Sequence, residues 1–139
     1  MDVTQLPFNQ LIGLTPADEA SGFLVGISDD PNYTNHLGSV HASALLALAE
    51  AGSGEFLARR FSGHADAVPV VRRLEARFRK PGVGKMMARC TATDEAVTGW
   101  ADELSKRGRV SAVLAMEVVD QTGAVVMTAS VEWFIRLSK

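Results

Sequence analysis

Cysteine is nearly missing from this sequence. Cys90 is the only one in 139 residues, which excludes an internal disulfide and any cysteine metal cluster. A single thiol also suits a reducing compartment. Positive charge is not in excess: 14 Lys and Arg stand against 16 Asp and Glu, a net charge of -2, so nucleic acid is not an expected partner. No apolar run approaches the roughly 20 residues that span a bilayer. The first ten residues, MDVTQLPFNQ, lack a basic stretch followed by an apolar one, so no signal peptide is expected. Those absences point to the cytoplasm. There is no His-x-x-x-His, no acid cluster, no glycine-rich phosphate loop and no Gly-x-Ser-x-Gly. No metal is expected, and neither is a phosphate cradle or a serine elbow. Internal repeats, linkers and low-complexity segments are missing too, so residues 1–139 read as one domain, long enough to bury a real core.

What is present centres on Asn35 to Gly54, NHLGSVHASALLALAEAGSG. From Ala42 to Ala49 every residue but Ser43 is Ala or Leu. A run that is apolar all round predicts a helix, roughly 41 to 61, buried on most sides. Ser62-Gly63 would end it, with Gly63 in the left-handed cap position. One carboxylate, Glu50, interrupts the run. Burial should raise its pKa unless a partner compensates.

The remaining elements follow from period. Residues 3–13 predict a short helix or turn anchored by Leu6, Phe8, Leu11 and Ile12. Gly22 to Ser28 reads as a strand, and Asp29 to Asn32 as a turn-rich loop. Leu74, Ala76 and Phe78 alternate with Glu75, Arg77 and Arg79, so Val70 to Lys80 predicts a strand with one buried face. Pro81-Gly82 and Gly84 make a turn into a second strand, Lys85 to Asp94. Residues 98–109 read as a polar connection. Val110 to Val119 is a third strand, Asp120 to Gly123 a hairpin turn, and Ala124 to Leu137 a long last strand. Short turns predict an antiparallel meander for the last four strands. A curled sheet must bury one face, and the helix is the long apolar element available to fill it. The expected class is α+β, an antiparallel sheet wrapped around a central helix. Val113, Ala115, Val126 and Phe134 lie on the outward phase, and apolar strand surface there suggests an oligomer.

Asn35, His41 six residues on, and Leu48-Ala49-Glu50 with the acid nine residues after the histidine resemble the hotdog acyl-CoA thioesterases of the phenylacetate-degradation type. Leu74 to Pro81, LEARFRKP, is similar to that family's strand ending in Arg-Pro or Lys-Pro. With the element order, the resemblance covers about residues 20–137. Ala42-Ser43 stands where Gly-Gly is usual. Glu50 stands where Asp is common, and Glu is the acid in the related 4-hydroxybenzoyl-CoA thioesterases. The resemblance implies the hotdog fold, hydrolysis of an acyl-CoA or acyl-carrier-protein thioester, and no cofactor other than the coenzyme A of the substrate. It also implies a homodimer, with a dimer of dimers as a further step. It assigns carbonyl polarisation to the amide after the motif histidine, which is Ala42.

The chemistry is coherent. Thioester hydrolysis needs a carboxylate nucleophile or base and a donor for the developing oxyanion. Glu50 would be the first. The Ala42 amide, at the positive end of a helix, would be the second. Asn35 would hold the attacking water or the acid, and His41 either orients the loop or acts directly. Ala42 and Glu50 are eight residues apart, about 12 Å along the axis, so one carbonyl meets both only if two chains contribute. Arg77, Arg79, Lys80 and Lys85 belong to a basic run that is either a solvated face or a set of contacts to coenzyme A phosphates. His36 and His64 have no supporting spacing and are expected in solvent. The rival functions are a hotdog protein that binds acyl chains without turnover, favoured by the missing glycine pair, and a hotdog dehydratase or hydratase.

Overall fold

The structure is a computed structural model and describes residues 2–138. Its helices are α1 (Pro7–Leu11), α2 (Ala42–Arg60) and α3 (Asp94–Arg107). Its strands are β1 (Thr15–Pro16), β2 (Val25–Ile27), β3 (Ala67–Phe78), β4 (Met86–Cys90), β5 (Arg109–Asp120) and β6 (Val125–Leu137). The strands form one sheet in the order β1-β2-β4-β5-β6-β3, antiparallel at each pairing.

The long apolar run forms α2, within a residue of the predicted bounds at either end. Leu45, Leu48, Ala49, Gly52, Ser53 and Phe56 are buried on its sheet side. Fully burying a Leu or Phe contributes roughly 1.5–3 kcal/mol, so this face holds the helix down. Gly52 lets it approach closely: a Cβ there would lie 3.0 Å from Met116 Cε and 3.1 Å from the Ala88 Cβ. Ala51 and Leu57 are buried on its flanks, so the expected burial on most sides is met apart from one stripe. Ser43, Ala47, Glu50, Gly54 and Ala58 follow the opposite stripe and are not fully buried, because the sheet curls around one flank of the helix.

Strand β5 keeps the predicted phase, with Val110, Ala112, Leu114, Met116 and Val118 all buried. The β5–β6 hairpin turns at Asp120, whose carboxylate accepts from Thr122 N at 2.9 Å and Ala124 N at 3.1 Å.

Several expectations are corrected. Residues 98–109 are not a polar connection but most of α3. Thr93 caps it by accepting from Ala96 N at 3.1 Å, Asp94 and Glu95 sit in its first turn, and Gly108 ends it at φ 75°. Val97 and Leu104 bury its inner stripe, and Asp94 pairs with Arg60 of α2 at 2.7 Å.

The last four strands are not a simple meander. β3 and β4 do not pair; β3 crosses to the far edge and pairs with β6. The predicted buried face of β3 is open as a result: Leu74 is 38% and Phe78 48% exposed. Val126 is buried rather than outward, where Arg79 N donates to its carbonyl at 2.8 Å and the Gly82 segment lies over it. The second strand is shorter than Lys85–Asp94, since α3 begins at Asp94.

Gly63 does not take a left-handed conformation; α2 ends instead with Phe61 N donating to Leu57 O at 2.8 Å. In the N-terminal segment Ile12 packs against the core as expected and Val3, Thr4 and Asn9 are buried, whereas Phe8 and Leu11 are 61% and 81% exposed.

Candidate active site

The loop before α2 is folded by Asn35. Its side-chain oxygen accepts from Leu37 N at 2.9 Å and Ser39 N at 3.2 Å, and its amide donates to Ser39 Oγ at 2.9 Å. Both ends of the Asn35 amide are therefore used within its own turn. That turn delivers His41 to the helix. The His41 N–H donates to Tyr33 O at 2.7 Å, and its exposed ring caps α2 by accepting from Ser43 N at Nδ1, 3.0 Å. A ring nitrogen that accepts leaves the remaining proton on Nε2.

Ala42 is the first residue of α2. Its exposed N–H donates to no acceptor among the described residues, while the neighbouring amides of His41, Ser43, Ala44 and Leu45 all have one. An unspent donor at the positive end of a helix suits a developing oxyanion.

Glu50 is half-buried, and its carboxylate has no hydrogen-bond or ion-pair partner among the described residues. Burial pushes its pKa above the ordinary value of 4.5. It lines a pocket of about 780 Å³ between α2, the start of β3, β6 and the N-terminal segment. Leu57, Phe61, Trp133 and Ile135 make the apolar walls, with Val3 and Leu6 across from them. Glu50 is fixed at its backbone: Ser53 Oγ donates to its carbonyl at 2.6 Å and accepts from Trp133 Nε1 at 2.9 Å.

Two residues of this site, Asn9 and Ser53, have no role in the sequence reading, and a third, His64, is placed differently from it. Asn9 lines the pocket and donates to Val3 O at 2.9 Å, tying the N-terminal segment into a roof. Ser53 had a signal, being polar between two glycines inside a buried helix. His64 is half-buried at the pocket, 5.7 Å from the Phe61 ring, rather than in open solvent.

The basic run divides by location. Arg77 and Arg79 lie on the outward face, along a groove of about 480 Å³ that Glu75 and Glu117 also line. Arg79 Nη2 donates to Thr128 Oγ1 at 3.1 Å. Lys80 and Lys85 are exposed in the β3–β4 connection. That connection meets the start of α2, because Val40 N donates to Gly82 O at 2.7 Å. Burial raises the pKa of Cys90, which disfavours its thiolate. Among the described residues, no group of His, Cys, Asp and Glu is arranged to hold a metal, and no helix is long and apolar enough to cross a membrane.

Residues 18–135 match the family described as "Domain of unknown function (DUF4442)". The chain belongs to this family. No curated protein matches its sequence. Among solved structures, the DUF4442 chain is similar to a Pseudomonas aeruginosa protein described as of unknown function, "Probable Thioesterase": 26% identity over 97% of this chain and 91% of that one, TM-score 0.83. A Bacillus halodurans protein with CoA shares 17% identity over 92% of this chain and 74% of its own, TM-score 0.69. A mutant thioesterase from Staphylococcus aureus shares 9% over 94% and 99%, TM-score 0.67. The last two likenesses are of fold. This DUF4442 protein has the hotdog fold, an antiparallel sheet around a central helix, in common with thioesterase-superfamily structures.

Proposed function

We propose that this protein is a thioesterase of the phenylacetate-degradation type, hydrolysing an acyl-CoA or acyl-carrier-protein thioester. One observation carries the reading: Glu50 is an unpartnered carboxylate, raised in pKa by burial, on the wall of a large apolar pocket. A structural acid would be expected to have a partner. Such a site can lodge an acyl group and hold a base against its carbonyl.

In the general-base form, Glu50 takes a proton from water as the water oxygen bonds to the thioester carbon. The carbonyl oxygen gains negative charge facing an Ala42 amide. The C–S bond then breaks, and the thiolate leaves with the proton returned from Glu50. Direct attack by the carboxylate uses the same groups. His41 and Asn35 serve by setting the helix start and its loop. Lys80 and Lys85 are exposed in the connection whose Gly82 carbonyl accepts from Val40 N ahead of α2, and they suit the coenzyme A phosphates, with Arg77 and Arg79 further along the same chain. The solved structure with CoA, similar in fold, supports a CoA ester as substrate.

The site is completed by a second copy. Ala42 and Glu50 lie about 12 Å apart along one helix, too far for one reacting carbonyl. Strand β3 leaves a long free edge, with Leu74 and Phe78 uncovered beside it, and such an edge favours pairing with another strand. Val113, 54% exposed on the outer face, suits a further dimer of dimers.

The second reading is an acyl-binding protein without turnover, favoured by Ala42-Ser43 in place of two glycines. Release of thiol from a panel of acyl-CoAs separates them. Turnover that falls by roughly 10² to 10⁴ in Glu50→Gln supports the enzyme. Rates equal to wild type in a folded Gln variant would sink the assignment of Glu50.

A further inference from the structure

The pocket runs along α2 rather than into the sheet. Its helical wall is Glu50, Gly54, Leu57, Ala58 and Phe61. From residue 50 to residue 61 that stripe is about 16 Å long. Glu50 sits at one end and Phe61, with His64, at the other.

We propose that the pocket takes the acyl chain of the substrate, an aliphatic one lying lengthwise from Glu50 towards Phe61, and that Gly54 sets how long a chain can pass. The proposal rests on the reading of Glu50 as the catalytic carboxylate. Gly54 is the waist. A Cβ there would lie 3.5 and 3.6 Å from the Trp133 ring carbons Cζ2 and Cη2, and 3.6 Å from Val3 Cγ1. These are ordinary contacts, so a methyl group fits. Anything larger must enter the space between the indole and Val3.

Neither wall is placed to retreat. Ser53 accepts the indole N–H at 2.9 Å. The Val3 carbonyl is held by Asn9 at 2.9 Å, and Val3 itself is buried. Beyond the waist the helix offers Ala58, another small residue. A short or compact acyl group would need none of this length, whereas an aliphatic chain fills it and gains from each methylene buried.

Two measurements test the proposal. Trp100→Phe leaves Trp133 as the one indole, since the chain has two tryptophans. A dodecanoate brominated at mid-chain, the part that passes Gly54, should quench it by contact. The quenching should survive Gly54→Ala and weaken about tenfold or more in Gly54→Leu. Absent quenching in the parent, or equal quenching in Gly54→Leu, overturns the pocket.

The second measurement is kcat/KM across acyl-CoAs from acetyl to palmitoyl. Gly54→Leu should move the preferred chain to a shorter one. Ala58→Leu, one turn further on, should move it less, and it carries the comparison if Gly54→Leu does not fold. Hydrolysis with an unmoved chain-length profile in both variants overturns the role of Gly54 while leaving the thioesterase intact. Quenching by the brominated chain without hydrolysis of any ester supports the pocket and overturns the thioesterase.

Discussion

Trp133 Nε1 donates to Ser53 Oγ at 2.9 Å, joining β6 to α2 in the core. Ser53 passes the bond on, donating to the Glu50 carbonyl at 2.6 Å. The sheet thus reaches the backbone of Glu50, the acid on the helix that has no ion-pair partner, through a single buried hydroxyl. This fixes the rotation of α2 about its axis, and with it the direction in which Glu50 points.

Ser53→Ala removes the acceptor and leaves a buried indole N–H unpaired. A buried donor without a partner costs about 1–3 kcal/mol. Urea unfolding should show a loss of that size, and kcat should fall in the folded variant because Glu50 loses its anchor. Unchanged stability would mean that the indole finds water or another acceptor.

Glu50 should lower stability at neutral pH. Burial raises its folded-state pKa above 4.5, so the unfolded chain releases this proton first. Stability from this group is greatest below the unfolded value and falls as pH rises through the window between the two. Above the window the ionised acid is a constant burden. Glu50→Gln carries none. Unfolding measured across pH should show the Gln variant level with wild type below about pH 4, gaining on it as pH rises, then level. A difference that does not vary with pH would show that the carboxylate is as well solvated folded as unfolded.

Charge reversal at Arg77 or Lys80 should raise KM for acyl-CoA by roughly tenfold, the value of one lost charged hydrogen bond. It should barely affect a pantetheine thioester, which lacks the nucleotide. Equal effects on both substrates would mark the basic run as a solvated face.

A composite site should show complementation. Ala42→Pro removes the donor, and the position accepts it: the residue before it, His41, is at φ −61°, ψ 138°, the region required ahead of proline, and Pro is tolerated at a first helical position. Glu50→Gln removes the acid. Mixed with subunit exchange, the two inactive variants should recover about a quarter of wild-type activity, from one intact site in each mixed dimer. Exchange without recovery would place donor and acid on one chain.

The amino-acid sequence by itself determined the local structure. The Ala and Leu run fixes α2 because its apolar surface is continuous, and alternation fixes β5 because one face is buried along its whole length. Glu50 was legible as the odd residue in that run. Even α3 was written out, in Thr93-Asp94-Glu95 at its start and Gly108 at its end, although its many charged residues make it read as a connection.

Only the tertiary structure decided what lies beside what. The turn at Pro81-Gly82 is compatible with a hairpin, yet β3 leaves β4 and pairs with β6, because strand order depends on long-range packing that no local period encodes. The same crossing uncovers Leu74 and Phe78, places Ala67 and Pro69 on the pocket wall, and lays the Gly82 segment against Val40 ahead of α2. Asn9, Ser53 and Trp133 are distant in the chain and meet around Glu50 only because the sheet curls over the helix. Spacing could single out the acid. The environment that raises its pKa is made by residues that the fold brings to it.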